Sequence, residues 1–565
     1  MEEWTGEDPR FRALVRATEE LTAPGAAFET RREEVLGTPV DVFVNRPHSL
    51  PQILEESQVH GDADCYVFDD GSRFSFTGLA LATADLAARL SNDFGISQGD
   101  RVAICAPNSP EWLVTLWAVT SLGGVVVAMN GWWTAPEMRH AIELTRPSLV
   151  VVDDRRAERL GGDVVAPVAV IGERFPAVVP GSTVGHPAAV PRPAIAEDDP
   201  AILLFTSGTT GRPKAAALSH RSVIGFVMLQ GFLGARSAVM AGATPRAGGG
   251  PVRLAPFPLF HVSGLGTAVT TVLGAGTTVW PLGRFDPARV VAVSRREHVQ
   301  VWGGATTHLV RLLDCPDLDD FPTSQILQVG IGGSATSPEL VRRVEERFPH
   351  LRDTMSTGYG STETGGLISW APNWMLRTTP GCVGPPLPTV QVRVTDEQGS
   401  PLDSGDPGNI EARSPITMLR YWDNEDADAE TVRPGRWIRT GDFGALRHGV
   451  LLLATRKRDL IIRGGENIYP PEVENRIEEH PAVVESAVFG VADPTHGEVV
   501  KAVVVVEPGS ELTEDAIAAF CAETLASYKV PAVVELRADL LPRNPSGKVM
   551  KHVLSGAAES GFIQE

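Results

Sequence analysis

The 565 residues would allow about three or four modules at roughly 100 to 200 residues each. Hydrophobic residues at 43% and charged residues at 21% are ordinary globular usage, which excludes disorder as the main state. Fifty Lys and Arg against seventy Asp and Glu leave a formal charge of -20, which argues against a broad cationic nucleic-acid surface; an anionic substrate must meet a local positive site. The five cysteines, Cys65, Cys105, Cys315, Cys382 and Cys521, have no spacing of a zinc site, redox pair or disulfide framework, so a reducing, cytoplasmic setting is expected. The opening MEEWTGEDPR lacks the basic flank and apolar stretch of a signal peptide, and no run of about 18 apolar residues occurs. A soluble protein is expected, with peripheral membrane contact and homodimer formation left open.

Along the chain, residues 101 to 128 predict a βαβ unit: strand RVAICA, a helix with Ser109 as N-cap and Pro110 at its first position, and strand VVVA. The apolar runs VVVD at 150 to 153 and AILLF at 201 to 205 suit buried strands, and Ser337, Pro338 and Glu339 start another helix. An α/β architecture with largely parallel sheets follows. Residues 155 to 195 and 236 to 252 are expected to be loops from their Val, Pro, Gly and Ala content and the Gly248 to Gly250 triplet. After about residue 456 comes a compact α+β set: helix PPEVENRIEEH, strands SAVFGV and VVKAVVVVE, helix EDAIAAFCAETLAS and strand AVVEL.

Directly after AILLF stands Thr206-Ser207-Gly208-Thr209-Thr210-Gly211-Arg212-Pro213-Lys214. Two glycines let the backbone N–H groups turn towards phosphate oxygens, the hydroxyls add donors, and Arg212 and Lys214 supply charge. It is not a Walker loop, because Gly211 is followed by Arg-Pro and Lys214 by Ala.

This string, followed by AAALSH, resembles the signature loop of the adenylate-forming superfamily of acyl-CoA synthetases, adenylation domains and luciferases. Further blocks of that family follow in order: PLFHVSG at 258 to 264, GYGSTETGG at 358 to 366, RTGD at 439 to 442, TRKRDLIIRGGENIYPPEVE at 455 to 474 and PRNPSGKVMK at 542 to 551. The resemblance implies a large adenylation domain over residues 1–455 and a small mobile domain over 456–565, with a hinge near 456–459. Thr455 and Arg458 depart from the family's usual linker residues.

The resemblance also implies roles. The loop residues Thr206 to Thr210 and Lys214 hold phosphates; Thr362 bonds the α-phosphate; Glu363, with Thr206, ligates Mg²⁺ as a hard oxygen donor. Tyr359 stacks on adenine, with Gly332, Gly333 and Gly360 forming the backbone around it. Asp442 accepts the ribose hydroxyls, and Arg456 is a second ribose or phosphate contact. Lys548 bridges the attacking carboxylate and the phosphate, where a cation offsets accumulating charge. Gly464 and Gly465 let the pantetheine arm of coenzyme A pass, and Lys529 is a candidate contact for its phosphates. His261 gates the acyl pocket; no general base is needed, since carboxylates are already ionised near neutral pH. Gly264, Gly266 and Gly330 either leave room for an acyl group or serve backbone geometry.

The function implied is an ATP-dependent acyl-CoA synthetase using Mg²⁺, ATP and coenzyme A, with a medium- or long-chain fatty acid as the expected substrate. Three alternatives stay open: an acyl-AMP ligase loading a carrier protein, an amino-acid-activating domain, and a nucleotide-binding scaffold without catalysis. Retention of Lys548, Glu363 and Thr362 argues against the last.

Overall fold

The computed structural model describes residues 8–162, 164–181, 193–207, 213–243, 250–283, 285–332, 338–352, 354–379, 381–456, 459–463, 466–544 and 548–556. Two large sheets dominate. The first has seven strands, in the spatial order Arg420–Tyr421, Pro213–Ser219, Pro200–Ser207, Val125–Ala128, Arg101–Cys105, Leu149–Val152 and Val168–Val170. From Pro200–Ser207 onward it is parallel; the first two strands are antiparallel additions. The second has eight strands, in the order Ser369–Pro372, Ser356–Tyr359, Gln328–Gly332, Val301–Ala305, Arg253–Leu254, Thr278–Trp280, Asp64–Phe68 and Arg73–Ser75. Its six central strands are parallel, with an antiparallel strand at each edge.

The predicted βαβ unit forms as expected. Arg101–Cys105 pairs in parallel with Val125–Ala128, and between them runs helix Pro110–Ser121, whose Trp112 N–H donates to the Ser109 hydroxyl. This helix is apolar all round and buried, as a helix between two sheets must be. Its Trp117 Nε1 donates to the Tyr66 hydroxyl at 3.3 Å, and Tyr66 donates to the Ala268 carbonyl at 2.8 Å. One buried relay thus joins a helix of the first sheet, a strand of the second, and helix Val262–Leu273 in the same interior layer. Both tyrosine and tryptophan satisfy their polar tips while burying their rings.

A six-stranded, antiparallel sheet contains Cys382–Gly384, Val450–Arg456, Trp437–Arg447, Gly408–Arg413 and Gln391–Thr395, with Val432–Arg433 beside Trp437–Arg447. The chain then enters the small α+β unit. Strands Glu466–Ile468, Ile461–Arg463, Gly497–Val506, Val483–Asp493 and Val533–Arg537 form its sheet. Helices Pro470–Glu478 and Glu514–Ala522 contribute Val473, Ile477, Ile517 and Cys521 to a separate core.

Two expected loops are partly regular. Asp154–Leu160 is a helix capped by Asp153, and Val168–Val170 is the edge strand of the first sheet. The helix is held by a tertiary contact: the Arg156 guanidinium donates to the Gly131 carbonyl at 2.8 Å. Residues 236 to 240 are the last turn of helix His220–Met240, not loop. This 21-residue helix, with a mean hydropathy of 1.5 over its most apolar window, is long and apolar enough to cross a bilayer. Here it packs within the main core, and its Arg236 guanidinium lies over the rings of Phe232 and Trp370. All five cysteines are buried and unpaired.

Candidate active site

The chemistry-bearing residues gather where parallel strands end. Thr206 closes Pro200–Ser207, Gly332 closes Gln328–Gly332, Tyr359 closes Ser356–Tyr359, and the segment Phe257 to His261 follows Arg253–Leu254. The carboxyl ends of parallel strands are where open α/β sheets hold ligands, because loops diverge there and leave a crevice.

On one side, the Tyr359 hydroxyl donates to Asp442 Oδ2 at 2.7 Å, joining residues 83 apart in sequence. Asp442 stands directly opposite Arg456 in the hairpin of Trp437–Arg447 and Val450–Arg456. The structure therefore brings together three residues expected at the nucleoside. The Asp442 backbone N–H donates to Thr440 Oγ1 at 3.1 Å, which fixes the turn presenting the carboxylate.

The GYGSTETGG segment folds back on itself. Ser361 N–H donates to Thr364 Oγ1 at 2.8 Å, Gly366 N–H to the Ser361 carbonyl at 2.8 Å, and Gly365 N–H to the Thr362 carbonyl at 3.0 Å. A Cβ at Gly360 would collide with the Gly366 carbonyl, and Gly365 has a φ of +77° and no room beside the Ile416 carbonyl. Only glycine meets both demands. This tight loop leaves Thr362 and Glu363 partly exposed at its tip.

Glu363 meets a residue that the sequence did not single out. The Tyr421 hydroxyl donates to Glu363 Oε1 at 2.8 Å. Burial, with the Glu363 carboxylate beside it, pushes the Tyr421 phenol well above its ordinary pKa, so it remains a donor at any physiological pH. Lys214 Nζ lies 5.4 Å from the centre of the same ring, and Thr206 is within hydrogen-bonding reach of the phenol. Phosphate-loop base and acidic loop thus meet at Tyr421.

On the other side, His261 precedes helix Val262–Leu273. Burial, and to a lesser degree the positive charge of Lys548, lower its pKa to about 4. It is therefore a neutral imidazole near pH 7, which agrees with a steric and positioning role. Lys548 belongs to the small unit, where its backbone N–H donates to Asn544 Oδ1 and its carbonyl accepts from Asn544 N–H, both at 2.9 Å. The segment carrying His261 is clamped by Asn108, whose Nδ2 donates to the Phe257 carbonyl at 2.9 Å and whose Oδ1 accepts from Leu259 N–H at 2.8 Å. Asn108 lies in the PNSPEW turn after strand Arg101–Cys105, separated from it by Ala106 and Pro107.

The three glycines proposed for the acyl side divide. A Cβ at Gly264 would run into the Pro258 carbonyl, and one at Gly266 into the Phe226 ring, so these two serve close packing and leave no room for a ligand. A Cβ at Gly330 would meet nothing within 4 Å. Gly330 pairs with Gly303 on the neighbouring strand, whose Cβ would lie 3.4 Å from Phe257. The preceding pair, Trp302 and Val329, points the opposite way into a separate core. Side chains are absent at both positions: the Phe257 ring covers Gly303, and the space over Gly330 beside it is open. In the following segments Phe260 packs on Trp132 at 5.1 Å and on His261 at 4.8 Å, and His308 stacks on Phe285 at 4.4 Å.

Lys529 is engaged elsewhere: its ammonium pairs with Glu472 at 2.6 and 2.8 Å within the small unit. Gly208, Thr209, Thr210, Gly211, Arg212, Gly333, Lys457, Arg458, Gly464, Gly465 and Gly547 lie outside the described residues, as do the side chains of Ser207 and Arg456.

Residues 54–422 match the family of AMP-binding enzymes, and residues 472–548 match the AMP-binding enzyme C-terminal domain. The 3-[(3aS,4S,7aS)-7a-methyl-1,5-dioxo-octahydro-1H-inden-4-yl]propanoyl:CoA ligase of Rhodococcus jostii is 33% identical over 537 residues, covering 91% of this chain and 99% of that one. The fatty acid–[acyl-carrier-protein] ligase ScoC of Streptomyces coeruleorubidus is 32% identical over 472 residues, 81% of this chain and 87% of its own. The ATP-bound crystal structure of MatB from Rhodopseudomonas palustris superposes with a TM-score of 0.78 at 30% identity, covering 91% of this chain and 99% of that one. The large α/β domain with its small C-terminal domain, the crevice at the strand ends and these matches agree: the chain belongs to the AMP-binding enzyme family, as an ATP-dependent, AMP-forming acyl-CoA ligase.

Proposed function

We propose that the acid activated is bulky, apolar and ring-bearing. The observation that carries this reading is the open space over Gly330, beside Gly303 and the Phe257 ring that covers it. Open space over a strand surface without side chains, next to an aromatic ring, suits a ring system, because apolar rings gain both buried area and aromatic contact there. The relative from Rhodococcus jostii, named for a bicyclic propanoyl substrate, supports it. A medium- or long-chain fatty acid is the second reading, favoured by the likeness to ScoC, which also keeps a carrier-protein thiol in view as acceptor.

In the first half-reaction a carboxylate oxygen attacks the α-phosphorus of ATP, and pyrophosphate leaves. Lys548 is assigned to the charge that builds between carboxylate and phosphate, Thr362 to an α-phosphate oxygen, and Asp442 with Tyr359 to the nucleoside. The donors at the acidic loop fit Mg²⁺: a Glu363 carboxylate with Oε1 taken by Tyr421 and Oε2 unbonded among the described residues, and the Thr206 hydroxyl close by. Both are hard oxygen ligands of the type that share this ion with substrate phosphates. When bound, the ion would neutralise phosphate charge. In the second half-reaction the coenzyme A sulfur attacks the acyl carbon and AMP leaves. For that step a hinge at 456–459 would carry Lys548 away and bring Gly464 and Gly465 in, with residues 1–455 and 456–565 as the two bodies.

The test is mass spectrometry of products from purified protein, Mg·ATP and a panel of bicyclic, aromatic and straight-chain acids, with and without coenzyme A. Thioester formed fastest from a ring-bearing acid is expected. Preference for a straight-chain acid would overturn the ring reading, and acyl-adenylate accumulating despite coenzyme A would shift the acceptor to a carrier protein.

A further inference from the structure

Strand Arg420–Tyr421 is only two residues long, yet it is firmly placed. Tyr421 stands opposite Ala216, and Arg420 opposite Ala217, on the return strand of the phosphate-loop hairpin. On either side, Leu419 N–H donates to the Ala217 carbonyl and Trp422 N–H to the Ala215 carbonyl, both at 2.7 Å. Just upstream, Met418 N–H donates to the Glu363 carbonyl at 3.0 Å. Residues 418 to 422 therefore strap the acidic loop to the phosphate hairpin through backbone bonds, and Tyr421 is the side chain that reaches both.

Its two ends do different things. The hydroxyl bonds Glu363 Oε1, leaving Oε2 for another ligand, and the ring lies beneath the Lys214 ammonium. Among the described residues Lys214 and Glu363 make no ion pair, although both contact the same phenol. A direct pair between them would use up the carboxylate and the cation that phosphate and metal need. The ring offers Lys214 a cation–π contact instead.

Resting on the reading of Glu363 as the metal-binding carboxylate, we infer that Tyr421 is a positioning residue for metal-bound ATP: its hydroxyl holds Glu363 in a ligating rotamer and its ring keeps Lys214 off that carboxylate. Groups that orient a metal ligand in this way typically change metal affinity by about 10- to 100-fold when removed.

The test compares Tyr421→Phe, Tyr421→Leu and Glu363→Gln with the parent full-length chain. Mn²⁺ is the probe, its binding followed by electron paramagnetic resonance in the presence of a nonhydrolysable ATP analogue, and thermal midpoints are recorded in parallel. Tyr421→Phe keeps the ring, and is expected to weaken Mn²⁺ binding about 10-fold with its midpoint preserved and its KM for ATP at saturating Mg²⁺ near the parent's. Tyr421→Leu is expected to raise that KM as well, since Lys214 loses its seat. Unchanged Mn²⁺ affinity in Tyr421→Phe, with weakened affinity in Glu363→Gln, would overturn the inference alone. Unchanged affinity in Glu363→Gln would instead remove Glu363 as metal ligand, and the inference would fall with it.

Discussion

Two glycines on the acyl side predict opposite outcomes for the same substitution. At Gly330 an added methyl meets nothing within 4 Å, and the backbone lies in a region open to any residue. Gly330→Ala should leave stability within about 1 kcal/mol of the parent, on the stabilising side, because alanine has less unfolded-chain entropy to lose. The methyl would instead occupy the floor of the pocket. One methylene-sized change in an apolar pocket is worth about 1 to 3 kcal/mol, or about 10- to 200-fold in kcat/KM, so a ring-bearing acid should lose at least about 10-fold while a short acid loses little. At Gly266 the same methyl runs into the Phe226 ring, a ring that also fills the space beside Gly366. Gly266→Ala should therefore cost about 1 to 3 kcal/mol of stability by overpacking. The assay is kcat/KM for a bicyclic and a two- to four-carbon acid, together with thermal midpoints for both variants. Equal losses for the two acids in Gly330→Ala, or a fall in its midpoint matching that of Gly266→Ala, would refute the assignment of Gly330 to the pocket floor.

Tyr359→Phe removes the 2.7 Å bond to Asp442, and a bond to a charged group contributes about 1.5 to 3 kcal/mol; the KM for ATP should rise about 10-fold with the KM for the acid unchanged, read from steady-state kinetics. Lys548→Ala should slow adenylate formation far more than thioester formation from supplied acyl-adenylate, and should raise the His261 pKa from about 4, since the Lys548 charge helps to lower it; imidazole NMR titration checks the second part. Buried His220 accepts the Leu50 N–H on Nδ1 at 3.1 Å, and its folded pKa is about 4 against an ordinary 6.5. Between those values the unfolded chain binds the extra proton, so stability should be full above pH 6.5 and fall by about 3 kcal/mol as the pH drops towards 4. Denaturant titrations across that window, compared with His220→Gln, should show a shallower slope in the variant.

The family was legible because its polar residues travel in strings. The loop around Thr206, the GYGSTETGG segment, RTGD and the lysine near the C-terminus each set glycines beside polar groups in a fixed order along the chain. The fold class was legible for a related reason: fully buried strands such as Leu149–Val152 are unbroken apolar runs, and Ser109 with Pro110 marks a helix start that sheet packing reinforces. Helix Asp154–Leu160 was missed because its anchor, Arg156 on the Gly131 carbonyl, is a tertiary contact with no local signature. The end of helix His220–Met240 was missed because the Gly248 to Gly250 triplet and the weakly hydrophobic stretch before it carried the loop reading back to residue 236, whereas Phe232 and buried Arg236 pack the helix onto the core.

The acyl side resisted for a deeper reason. A glycine reports only that a side chain is absent, and sequence cannot say whether the vacated space is filled by a neighbour or left for a ligand. At Gly264 and Gly266 a carbonyl and a phenyl ring take it; at Gly330 nothing does. The same limit hid Tyr421, an ordinary strand tyrosine until the pairing of Arg420–Tyr421 with the phosphate hairpin sets its hydroxyl on Glu363 and its ring under Lys214. On the readings proposed for Gly330 and Tyr421, specificity follows from where space is left and activation from which charged groups are kept apart; both are properties of neighbours across the fold rather than of any motif along the chain.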